Sequence, residues 1–244
     1  MTDFATLLRP DRGEPARLIH LVDKASAGDW LKRQSAPRRA LLEAMRFDGS
    51  APDRFAILPG DKDAFEIVLT VADRALLTPW CLARLGEALP AGSYRLAEGA
   101  LGPAALGWLL AQHRFDRYRT KPDPAHGARV LLTSDIATID RTVREARATA
   151  LVRDLVDTPA SDLGPAELEA AVRAVADGTG ASIDVTHGDK LDTGFPMIAA
   201  VGRGADRNRA PRLIELHWGR ADDPRLAIIG KGVCFDSGGL DLKP

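Results

Sequence analysis

Two cysteines among 244 residues, Cys81 and Cys234, lie too far apart to suggest a disulfide framework, so a reducing compartment is expected. No apolar run approaches the roughly 20 residues that would span a bilayer. Met1 to Thr6 shows no basic stretch followed by an apolar one, so no secretory leader is expected and the cytoplasm is the default location. There is no basic excess. Lys+Arg 33 against Asp+Glu 34 leaves a net charge of -1, which argues against a dedicated nucleic-acid binder. Arg38, Arg39, Arg114, Arg117 and Arg119 read as solvated surface. His20, His113, His126, His187 and His217 show no H-E-x-x-H spacing, so the helical zinc site of that pattern is excluded. Residues 1–130 contain no glycine-rich phosphate loop, and the chain has no internal repeat or low-complexity segment.

What remains is an ordinary globular composition, 45% hydrophobic and 27% charged, on a chain long enough for one or two domains. Strand-like runs alternate with helical spacing, which predicts an α/β layer structure. Strands are expected at Arg17–Val22, Phe55–Leu58, Phe65–Val71, Ser93–Leu96, Arg129–Leu132, Ser182–Val185, Pro211–Trp218 and Arg225–Ile229. Helical spacing covers Asp29–Phe47, broken or restarted at Pro37, then Pro79–Leu89, Pro103–Tyr118, Ile136–Leu155 and Pro165–Ala176. Breaker-rich Lys121–Gly127 reads as a loop. The expected domains are residues 1–133, a connecting helix over 134–157, and a second unit over 158–244. Pro165 suits a first helical turn, and Glu167 places negative charge where unpaired N–H groups point.

The chemistry concentrates in residues 230–244. Lys231 follows Gly230 at the end of the apolar run Leu226–Ile229. If that run is a buried strand, the charged amine is disfavoured, and a neutral amine can donate its lone pair to a dication. Asp236 lies five residues on. A carboxylate can ligate one cation or bridge two, and two divalent ions can together activate a water. Lys243, if charged, can hydrogen-bond a carbonyl oxygen that is gaining negative charge. Gly238 and Gly239 permit a close ligand approach, and Asp241 reads as a loop residue. Taken singly, each has a simpler reading. Lys231 is then a strand-end lysine reaching solvent, Asp236 a turn residue before Ser-Gly-Gly, and Lys243 an exposed loop lysine.

The whole string is more specific. Gly230-Lys231-Gly232-Val233-Cys234-Phe235-Asp236-Ser237-Gly238-Gly239-Leu240-Asp241-Leu242-Lys243-Pro244 resembles a signature segment of the leucyl aminopeptidase family of metallopeptidases. Arg153–Pro165, Phe195–Gly204 and Ala210–Ile214 resemble further segments of that family, and Leu106–Tyr118 resembles the helix ending its first domain. The resemblance is strong from about residue 100 and weak before it. It implies a macro-like N-terminal α/β domain, a connecting helix, and an incomplete α/β catalytic domain. It also implies a homohexamer, peptide substrates with a free N-terminus, and two divalent metal ions, zinc or manganese. By that resemblance Lys231 and Asp236 are metal ligands and Lys243 is catalytic. Nitrogen and oxygen donors do not choose between the two metals. Asp157 and Ser161 stand where many members carry asparagine. The family's remaining metal-binding carboxylates and its catalytic arginine fall beyond the position of Pro244, so residues 1–244 alone are expected to be inactive.

Three rival readings stand beside it. Asp236-Ser237-Gly238-Gly239 is similar to the serine nucleophile segment of trypsin-like proteases, but no histidine sits in a matching context and the helix-rich pattern opposes a double β-barrel. Cys234 in an apolar strand reads as a small buried hydrophobe rather than a nucleophile. A non-catalytic binding or assembly module acting through the macro-like domain is the alternative from a different class, because fold does not fix function.

Overall fold

The structure is a computed structural model that describes residues 2–60, 64–121 and 127–235. It divides into two compact units, Met1–Arg153 and Asp154–Pro244. The α/β expectation holds. In the first unit the strands are β1 (Leu8–Pro10), β2 (Arg17–Val22), β3 (Phe55–Pro59), β4 (Phe65–Thr70), β5 (Gly92–Leu96) and β6 (Arg129–Thr133). They form one sheet in the order β1-β6-β5-β2-β4-β3. Every pairing is parallel except β3 with β4.

A mostly parallel sheet needs cover on both faces, and the sequence of β4 shows it. Successive side chains point to opposite faces. Ile67 and Leu69 join one buried cluster, and Val68 between them joins another. Helices α1 (Ala27–Lys32) and α2 (Ala36–Ala44) supply Trp30 and Leu42 to the cluster around Val22, Ala56, Leu58 and Val68. On the opposite face, α3 (Ala83–Ala88), α4 (Ala104–Leu110) and the first part of α5 (Ile139–Asp157) supply Leu85, Trp108 and Ala146. Pro37 sits in the first turn of α2, as its fixed φ favours.

Two helices are shorter than their spacing suggests, for visible reasons. Helix α3 begins at Ala83 rather than Pro79. The Pro79 carbonyl is taken by the Gly107 N–H at 2.8 Å, and the Thr78 N–H and hydroxyl are engaged with the Cys81 sulfur. Helix α4 ends at Leu110, not Tyr118. Gln112 turns its amide onto β6, donating to the Arg129 carbonyl at 3.0 Å and accepting from the Arg129 N–H at 3.0 Å. Strand β1 is too short for its periodicity to show in sequence.

In the second unit, α6 (Pro165–Thr179) is followed by β7 (Ser182–His187), α7 (Asp189–Gly194), α8 (Pro196–Val201) and β8 (Arg212–His217). Strands β7 and β8 pair antiparallel as a two-stranded sheet. The expected strand at Arg225–Ile229 is not present. Leu226, Ile228 and Ile229 are 86%, 89% and 94% exposed, and no described strand pairs with them. Apolar content alone had suggested a strand there; a strand also needs a neighbour to bond.

Candidate active-site segment

Of the three residues singled out by sequence, Lys231 is described, while Asp236 and Lys243 lie outside the described residues. Lys231 is exposed. The burial on which its metal-donor argument rested is therefore absent from the described surroundings. Its amine has no ion-pair partner among the described residues. The described residues contain no group of three or more His, Cys, Asp or Glu side chains able to hold a metal. They do not by themselves make a metal centre; Lys231 contributes one accessible nitrogen. Cys234 is half-buried rather than enclosed in a strand, and burial pushes its thiol up from the ordinary range.

The chain just after Lys231 lies on a well-defined bed. A Cβ added at Gly232 would meet Leu168 Cδ2 of α6 at 3.1 Å, so this glycine sits close against the helix. The start of α6 is capped locally. The Gly164 N–H donates to the Glu167 carboxylate at 2.8 Å, the role that negative charge in a first turn serves. That bond and the helix N–H groups hold the Glu167 carboxyl below its usual range, assisted by Arg209 and Arg212.

Arg209 closes the arrangement. Its guanidinium donates to the Ala160 carbonyl at 3.2 Å and to the Ser161 carbonyl, and it pairs with Glu167 at 3.4 Å. A Cβ at Gly164 would meet its guanidinium and come within 2.7 Å of its Cδ. Two residues further along α6, Glu169 holds Arg212 at 2.6 Å and Arg173 at 2.7 Å. Hydrogen bonds from Arg212 keep the Glu169 carboxyl low despite its partial burial. Sequence reading placed Glu167 at this helix start but missed Arg209. Its signal is a long-range pairing that no local spacing shows.

Residues 150–244 match the catalytic-domain model of the cytosol aminopeptidase family, and residues 18–132 match the N-terminal-domain model of the M17 aminopeptidases. The chain belongs to the M17 cytosol aminopeptidase family. A probable cytosol aminopeptidase of Xanthobacter autotrophicus is 31% identical over 272 residues, covering 99% of this chain and 54% of that protein. One from Leifsonia xyli is 36% identical over 193 residues, covering 75% of this chain and 37% of that protein. The crystal structure of the cytosol aminopeptidase from Coxiella burnetii is 32% identical with a TM-score of 0.82, covering 97% of this chain and 51% of that one. The bottromycin maturation enzyme BotP, in complex with Mn, shares the fold with a TM-score of 0.65 at 24% identity, covering 85% of this chain and 46% of its own. The chain thus spans about half the length of the Xanthobacter and Coxiella M17 proteins. No helix among the described residues is long and apolar enough to cross a membrane.

Proposed function

We propose that this chain is part of a metal-dependent aminopeptidase that releases N-terminal amino acids from peptides with a free amino terminus. The supporting observation is the tandem match of both M17 domain models in order along one chain, with Lys231, Asp236 and Lys243 inside the catalytic-domain match. Lys231 and Asp236 would hold divalent metal ions through an amine nitrogen and a carboxylate. Bound divalent ions would supply Lewis acidity toward the peptide carbonyl and the attacking water. Lys243 would donate to the carbonyl oxygen as it gains negative charge. Zinc or manganese suits these donors, and manganese is the ion named with the BotP neighbour. The boundaries 1–133, 134–157 and 158–244 remain the proposed domain division, the cytoplasm the proposed location, and a homohexamer the proposed assembly.

The test uses the full-length protein and leucine p-nitroanilide. Lys231→Ala should lower the affinity for added manganese by more than about tenfold. Lys243→Ala should leave that affinity unchanged and lower kcat by roughly a hundredfold. Wild-type activity in the Lys231→Ala variant would sink the assignment. The chain of residues 1–244 alone should not turn the substrate over; turnover by this pure chain that disappears with Lys231→Ala would refute that expectation.

A further inference from the structure

We infer that Arg209 is a positioning residue for the segment that carries Lys231, acting through the bed that residues 160–168 make for residues 232–234. This inference rests on the reading of Lys231 as a site residue for its significance, but its geometry stands apart from that reading.

Three observations place Arg209 there. Its guanidinium gathers the Ala160 and Ser161 carbonyls and the Glu167 carboxylate, joining the turn before α6 to the first turn of α6. Its stem lies across Gly164, where a Cβ could not be accommodated without moving it. The segment after Lys231 rests on the same block: Gly232 faces Leu168 at the same end of α6. Cys234, two residues further on, is half-buried. Residues 231–235 form no helix or strand, so their placement depends on what they lie against. A planar guanidinium with several donors can hold two carbonyls and a carboxylate together; a lysine ammonium lacks that fork. Without Arg209 the turn at 160–164 loses two of its ties, and the surface under Gly232 and Cys234 is no longer fixed.

Cys234 reports on this directly. Its alkylation by iodoacetamide can be followed by peptide mass spectrometry, with Cys81 of the other unit as an internal reference. Arg209→Gln should raise the Cys234 rate about fivefold through local opening, with the Cys81 rate unchanged. Arg209→Lys should raise it less. Amide exchange of β7 and β8 should stay at the wild-type level in both variants. An unchanged or slower Cys234 rate in both variants would overturn the inference. So would a matching loss of protection in β7 and β8, which would make Arg209 a general stabiliser of its unit. The metal affinity of Lys231→Ala, measured separately, tests the site reading, so the two can fail independently.

Discussion

Glu66 on β4 sits where three elements meet. Arg38 of α2 donates to its carboxylate at 2.9 Å, and His20 of β2 lies at 3.1 Å. Burial alone would push the Glu66 carboxyl up, but the bonds and charges of Arg38 and His20 outweigh it and hold the carboxyl below its ordinary range. A depressed carboxyl binds its proton less readily in the folded state than in the unfolded one. Its contribution to stability is therefore present above the unfolded value and is lost as pH falls through the folded one. Urea unfolding should show wild type more stable than Glu66→Gln at about pH 7, with the gap narrowing at about pH 3.5. A gap that widens on acidification would contradict the arrangement. At this same scale, the sequence pointed to Lys231, Asp236 and Lys243 as candidates because a family signature is a local string. It concealed Arg209 because the groups it binds, Ala160, Ser161 and Glu167, are more than forty positions away. It also misled on the setting of Lys231, since an apolar run such as Leu226–Ile229 carries no record of whether a neighbour covers it.

Among the elements, those long enough to repeat their pattern were legible, and those ended by tertiary bonds were not. Helices α5 and α6 and strands β2, β4 and β6 follow their spacing closely. Helices α7 and α8, six residues each, complete too few turns to display a period. The late start of α3 comes from its contact with α4, while α4 is ended by Gln112 bonding to β6. Gly107 of α4 donates to the Pro79 carbonyl at 2.8 Å, and a Cβ at Gly107 would collide with that carbonyl and lie 3.1 Å from Trp80 Cα. Gly86 makes a similar approach from α3, where a Cβ would lie 2.7 Å from the Trp108 carbonyl. Backbone atoms cannot swing aside as a side-chain tip can. Gly107→Ala should therefore destabilise the first unit by about 1–3 kcal/mol, the usual cost of overpacking. Urea unfolding monitored through the buried Trp108 would measure it. An unchanged midpoint would show that the two helices separate more easily than their bonding implies.

For the molecule as a whole, the two units differ in how much apolar surface they enclose. In the first, clusters on both faces of the six-stranded sheet bury Ile19, Ile67, Leu69, Trp108 and many others completely. In the second, the buried apolar side chains among the described residues are Ala176, Leu191 and Ala199. Meanwhile Met197, Val201 and Trp218 are 80%, 79% and 77% exposed, as are the side chains of the 226–229 run. Burial of apolar area is the main source of folding stability, and three small or medium side chains supply little of it. The two-stranded β7–β8 ladder also leaves its outer edges unpaired among the described residues. The second unit of this chain should therefore open locally far more often than the first. Limited proteolysis should cut after about residue 160 while leaving a resistant core that ends near α5, and a hydrophobic dye should bind until that region is removed. Equal resistance of both regions, with no dye bound, would mean that the exposed apolar side chains of the second unit are covered in solution, and the contrast in burial would then not govern its stability.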